Sequence, residues 1–216
     1  MTDRTELLKE YVAEIQTKER VCAAHSFDHT LRVLENIKQM LKYSDVDPEQ
    51  ALASALLHDI IRPPYREKGG KEHAELSAKE ARKVLPKFGF DQESTNAITQ
   101  AIREHSATKD VNRGELSQLL FEADKLDTFG KTGLERWMCL GKGDGLSQQE
   151  ILEGILKIQL KLLVFNTFKN KYAKEELKKR KKMLFDHIKK EIGEGKFEHI
   201  VNNFDSNYDP YAHLIK

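Results

Sequence analysis

From Ala51 to Ile61 the chain reads ALASALLHDII, apolar on nearly every side until a histidine and an aspartate interrupt it. A helix of that pattern has no polar face to give to water, so it belongs at the centre of a bundle. Pro48 suits its first turn, and Pro63-Pro64 is expected to stop it. His58-Asp59 then lies beside Leu56 and Leu57, one turn before that stop. Burying a carboxylate and an imidazole there is expensive unless something pairs them, and a divalent cation is the simplest partner. The negative end of a helix favours a cation at the same place.

The rest of the chain supplies helices to surround this one. Apolar residues recur at spacings of three and four in Leu7, Leu8, Tyr11, Val12 and Ile15, and again in Leu31, Val33, Leu34, Ile37, Met40 and Leu41. There is no sustained apolar–polar alternation and β-branched clusters are short, so the expected class is all-α. Further helices are expected over about 71–87, with Gly89 as a C-terminal stop, and over roughly 91–106 and 115–128. Gly141–Gly145 (GKGDG) reads as a loop, and Ser147 with Glu150 forms a capping box for the helix that follows. Two helical runs fill about 147–195. The second carries Lys174, Lys178, Lys179, Lys181 and Lys182 in front of Leu177, Met183, Leu184, His187 and Ile188, the pattern of a solvated face. Trp137 and the phenylalanines read as core. With 216 residues, 39% of them hydrophobic, the whole chain is expected to be a single all-α domain with a sizeable core.

Thirty-six basic residues against 35 acidic ones leave a net charge of +1, which weighs against a nucleic-acid partner. Two cysteines, Cys22 and Cys139, exclude a disulfide scaffold. The N-terminus lacks a signal-peptide layout and no apolar stretch approaches the roughly 20 residues of a membrane span, so a cytoplasmic protein without a membrane partner is expected. Gly69-Gly70 is not followed by Lys-Ser/Thr, and no Gly-x-Ser-x-Gly elbow occurs, which sets aside P-loop and serine-hydrolase chemistry.

The residues that can complete a metal site are histidines and aspartates. His25 and His29 stand four apart in HSFDHTLRV and form rival candidates, as do Asp124 and Asp127 in EADKLD. Two imidazoles and two carboxylates suit Mn, Fe, Mg, Ni, Co or Zn without distinguishing them. The absence of cysteine from the set disfavours a purely structural zinc.

The series His29, His58-Asp59, Asp124, in the words HTLRV, ALLHDI and EADKLD, resembles the HD-domain superfamily of metal-dependent phosphohydrolases. The resemblance spans about residues 21–130 and implies a multi-helix bundle, with additional C-terminal helices over about 131–216. It assigns the metal to His29, His58, Asp59 and Asp124, which leaves His25 at a helix start. His73 and His105 are similar to positions where multi-metal members hold a second ion; the other reading has them lining the pocket. The activity implied is hydrolysis of a phosphate ester of a nucleotide or another small phosphorylated metabolite. A divalent ion polarises a phosphoryl oxygen and lowers the pKa of a bound water from about 16 towards about 7. Asp59 is then both ligand and proton acceptor. Arg62 is the first candidate for phosphate contact, ahead of Lys125 and Arg103. The alternative is a catalytically inactive metal- or nucleotide-binding regulatory module, and self-association is left open.

Overall fold

In the computed structural model, the described residues are 3–18, 27–63, 72–106 and 112–208, and among them the chain forms ten α-helices and no strand. They are α1 (Asp3–Lys18), α2 (Phe27–Met40), α3 (Pro48–Leu57), α4 (His73–Val84), α5 (Gln92–Glu104), α6 (Glu115–Leu126), α7 (Gly130–Gly143), α8 (Gln148–Phe165), α9 (Lys171–Ile192) and α10 (Glu194–Asn202). No helix among the described residues is long and apolar enough to cross a membrane. His25, Cys22, Gly69-Gly70, Pro64 and His213 lie outside the described residues.

These helices fall into two compact units. The first contains α1 to α6 and the segment Lys169–Ala173; α7, α8, α10 and the rest of α9 belong to the second.

In the first unit α3 is the central element, as its composition requires. Every residue from Ala51 to Leu57 is buried, and α1, α2, α4, α5 and α6 all pack on it. Pro48 occupies its first turn and the Asp47 carboxylate accepts from the Gln50 N–H, which caps it. The expected end is wrong: α3 stops at Leu57, so His58-Asp59 lies just beyond the helix instead of one turn inside it. The backbone groups released there find side chains to bond. The Ile61 N–H donates to Ser77 Oγ at 3.2 Å, Ser77 Oγ donates to the Ile61 carbonyl at 3.1 Å, and Gln16 Nε2 donates to the Asp59 carbonyl at 3.2 Å. No proline is needed to end the helix.

The buried stripe of α1 is also rotated from the expected one. Thr5, Leu8, Val12 and Gln16 face inward, whereas Leu7 is 51% exposed and Tyr11 and Ile15 are half-buried. α2 follows its expected stripe, with Val33, Leu34, Ile37 and Met40 buried. Gly89, in the left-handed region at φ 77°, ends the 3₁₀ turn Leu85–Phe88 after α4, the stop expected of it.

In the second unit the capping box is present: Ser147 Oγ accepts from the Glu150 N–H, and Glu150 accepts from the Ser147 N–H at 2.9 Å. The GKGDG segment is not all loop, because Gly141 and Gly143 close α7. A Cβ on Gly141 would lie 2.4 Å from Ile151 Cγ1, so this glycine lets α7 approach α8 instead of breaking it. On α9, Leu184 and Ile188 are buried and Lys174, Lys178, Lys179 and Lys182 are exposed, while Met183 lies off the apolar stripe at 56% exposure. Trp137 is only half-buried, not core.

The segment Lys169–Ala173 joins the first unit through Glu122, a fully buried carboxylate on α6. It accepts from the Lys169 N–H at 2.5 Å and the Asn170 N–H at 3.1 Å. Asn170 in turn donates to the Met40 carbonyl at 3.0 Å and accepts from the Tyr172 N–H at 3.0 Å, tying the start of α9 to the end of α2.

Candidate metal centre

Three helices of the first unit end at one place. His58 is the residue after α3, His105 the residue after α5, and Asp127 the residue after α6. The last carbonyls of a helix have no intrahelical donor. Each of the two histidines supplies one to its own helix: His58 Nδ1 lies 2.8 Å from the Ala55 carbonyl and His105 Nδ1 2.6 Å from the Ile102 carbonyl. A carbonyl can only accept, so Nδ1 carries the hydrogen in both rings and the neutral imidazole presents a lone pair at Nε2. The negative ends of three helix dipoles meet at the same spot, which favours a cation.

His29, in the first turn of α2, is fixed by the third helix end. Its Nδ1 donates to Asp127 Oδ2 at 2.7 Å, and Arg32 holds the same carboxylate from the side through Nε at 2.7 Å and Nη2 at 3.0 Å. His29 Nε2 therefore also points inward, 3.2 Å from His58 Nε2 and 3.3 Å from Asp124 Oδ1. His73, the first residue of α4, completes a row of four imidazoles in the order His29, His58, His105, His73. Adjacent ring centroids in that row are 5.1–5.2 Å apart and each pair meets edge to face.

Asp59 lies against the whole row and divides its two oxygens between the ends. Oδ2 is 4.0 Å from His29 Nε2 and 3.8 Å from His58 Nε2; Oδ1 is 3.7 Å from His73 Nε2 and 3.6 Å from His105 Nε2. Two donor sets result, His29/His58/Asp59 and Asp59/His73/His105, each with ligand atoms within 4.8 Å of one another. All five residues are buried. Donors that share one ion at a metal–nitrogen distance of about 2.1 Å lie roughly 3 to 4 Å apart. With Nδ1 bonded away from the cluster in both rings, His29 and His58 bring their Nε2 atoms within 3.2 Å of each other, a spacing that a shared cation would accommodate. Imidazoles held at Nδ1 by carbonyls and a carboxylate are the arrangement that supports metal ligands from behind. The donor set thus fits a divalent cation.

The charges agree. Burial acts to raise the Asp59 carboxyl, but Arg62, 3.0 Å away, and then His58 outweigh it and hold the group well below the usual carboxylate range. Burial likewise acts upward on Asp124, and Lys125, 2.7 Å away, overcomes it. Burial pushes the His58 imidazole down to about 4, against the pull of Asp59. At neutral pH the site therefore holds ionised carboxylates and an uncharged His58, the protonation states that bind metal.

His29, His58, Asp59, His73, His105 and Asp124 are thus brought together, and Arg62 and Lys125 stand beside them, each paired to the neighbouring carboxylate. Arg103 is turned to Glu75 at 2.5 Å. Asp127 is the residue the sequence ranks only as a rival to Asp124; its carboxylate grips the back of His29. Arg32, inside the HTLRV word, had no signal beyond its place three residues after His29 on one helix face.

Residues 26–128 match the family model of the HD domain. Over these residues the chain is similar to the HD domain, the superfamily that the three motifs resemble. Solved structures with the same fold include a predicted HD superfamily hydrolase from an uncultured Thermotogales bacterium (25% identity, 86% of this chain and 89% of that one, TM-score 0.62). YpgQ of Bacillus subtilis in complex with ADP is similar over 94% of this chain and 97% of its own, at 20% identity and TM-score 0.67. An HD-superfamily hydrolase from Bacillus thuringiensis matches 90% of this chain and 97% of its own, at 20% identity and TM-score 0.66. No curated protein sequence matches the chain.

Proposed function

We propose that this protein is a metal-dependent phosphohydrolase that cleaves a phosphate ester of a nucleotide or a similarly small phosphorylated metabolite. The observation that carries the reading is the convergence of His29, His58, Asp59 and Asp124, with three imidazole Nδ1 atoms held from behind. A divalent ion bound there supplies Lewis-acid polarisation of the phosphate and an acidified water. His73 and His105 would hold a second ion with the other oxygen of Asp59, or else line the pocket. Arg62 and Lys125 neutralise Asp59 and Asp124 and stand where a phosphate bound at the cluster would meet positive charge. Asp59, ionised at neutral pH, accepts a proton from the attacking water.

The nucleotide part of the reading draws on YpgQ, whose structure was determined with ADP. It carries with it a single all-α domain working in the cytoplasm on a soluble substrate, without a nucleic-acid partner. Metal analysis of the purified protein, followed by a phosphate-release screen over nucleotides and phosphomonoesters with Mn, Fe, Mg, Ni, Co and Zn, tests it. Bound metal with release from at least one substrate supports the enzyme. Bound metal and nucleotide without any release supports the inactive regulatory module instead, and absence of both removes the proposal.

A further inference from the structure

α1 precedes the residues matched to the HD domain, yet one of its side chains reaches the metal centre from behind. Gln16 is 5% exposed. Its Nε2 donates to the main-chain carbonyl of Asp59 at 3.2 Å, and its Oε1 accepts from Thr30 Oγ1 at 3.1 Å. Thr30 is fully buried and follows His29 in the chain. A single amide therefore spans the two elements that carry the first three ligands, the turn after α3 and the start of α2.

A buried amide is costly unless both ends are bonded, and here each end is bonded to a different ligand-bearing segment. The Asp59 carbonyl lies past the end of α3, where the helix offers it no donor. Without Gln16 that carbonyl would be buried without its donor, and the Asp59 backbone would have less to hold it where its oxygens meet both histidine pairs. We infer that Gln16 is a positioning residue for the metal centre, setting the Asp59 main chain against the helix that bears His29. The inference rests on the metal reading above and extends it to a segment outside the family match.

The test is Mn²⁺ affinity by titration calorimetry of the purified full-length protein and folded variants, with circular dichroism and thermal unfolding alongside. Gln16→Met keeps the length and loses both bonds; Thr30→Val loses the α2 arm only, and Thr30→Ser keeps it. Ile188→Ala, buried in the second unit, lowers stability without touching the site. Partners that orient metal ligands are worth about 10–100-fold in affinity. Gln16→Met is expected to bind Mn²⁺ at least about 10-fold more weakly and Thr30→Val several-fold more weakly, with Thr30→Ser and Ile188→Ala within about twofold of wild type.

Wild-type affinity in both Gln16→Met and Thr30→Val overturns the inference, as does an equal loss in Ile188→Ala, which would make the effect one of stability alone. If Gln16→Met does not fold, Thr30→Val against Thr30→Ser decides. Asp59→Ala separates the two levels. Wild type that takes up no Mn²⁺ removes the metal reading and this inference with it. Binding lost in Asp59→Ala but kept in Gln16→Met removes this inference alone.

Discussion

Asp127 and His29, 98 residues apart in the chain, meet through a hydrogen bond of 2.7 Å that fixes which imidazole nitrogen faces the cluster. A carboxylate can only accept, so His29 presents Nε2 inward. In Asp127→Asn the amide can donate to Nδ1 instead and favour the tautomer with hydrogen on Nε2, which cannot ligate. Metal affinity is expected to fall about 10–100-fold with helix content unchanged. Calorimetric titration with Mn²⁺ checks this, and affinity equal to wild type would contradict it.

Asp59 contributes an oxygen to both donor sets and lies within 4.0 Å of four imidazole Nε2 atoms. Asp59→Ala is expected to abolish both metal retention and phosphate release. Metal content after dialysis and a phosphate assay measure the two losses separately. Bound metal with full activity in this variant would refute the assignment.

Acid should destabilise the metal-stripped protein. The His58 pKa is lowered from 6.5 to about 4 in the folded state, so the unfolded chain takes up that proton first. Stability is full above about pH 6.5 and declines as the pH falls towards 4, by about 3 kcal/mol in total. Asp59 and Asp124 have depressed carboxyls and act in the same direction, but only as the pH drops below the ordinary aspartate range. Thermal unfolding of chelator-treated protein from pH 7.5 to 4.5 should show the decline, and His58→Gln should flatten it. A level wild-type profile over that range would count against a buried neutral His58.

Two glycines near the end of α7 should respond in opposite directions. Gly141→Ala drives a Cβ into Ile151 and is expected to cost about 1–3 kcal/mol. Gly143→Ala meets nothing within 4 Å and should be neutral or stabilising by up to about 1 kcal/mol. Denaturant midpoints of the two variants read this directly. Equal effects would mean that the approach of α7 to α8 is not what Gly141 serves.

The centre of the fold and most of the site were legible because they violate the local pattern. A histidine and an aspartate after seven buried residues stand out, and so do an Asp in a largely apolar α6 and a His at the start of an amphipathic α2. What escaped were features whose partner lies far along the chain. The turn after α3 is bonded by Ser77 and Gln16, neither of them near it in sequence. Gly141 looks like any loop glycine until Ile151 is packed against it. Gln16 itself looks like a surface residue while the stripe of α1 is drawn through Leu7; only with Thr5, Leu8 and Val12 inward does it turn to the interior.

The chain leaves the first unit after Asp127, returns for Lys169–Ala173 and departs again. No single cleavage can therefore release either unit intact. A fragment trimmed at residue 130 would retain every candidate ligand, yet it would leave the buried Glu122 carboxylate with the Gln118 side chain but without its two backbone donors, two positions before Asp124 on the same helix. The short segment Lys169–Ala173 is in this sense part of the support of α6, although more than 40 residues of chain separate the two.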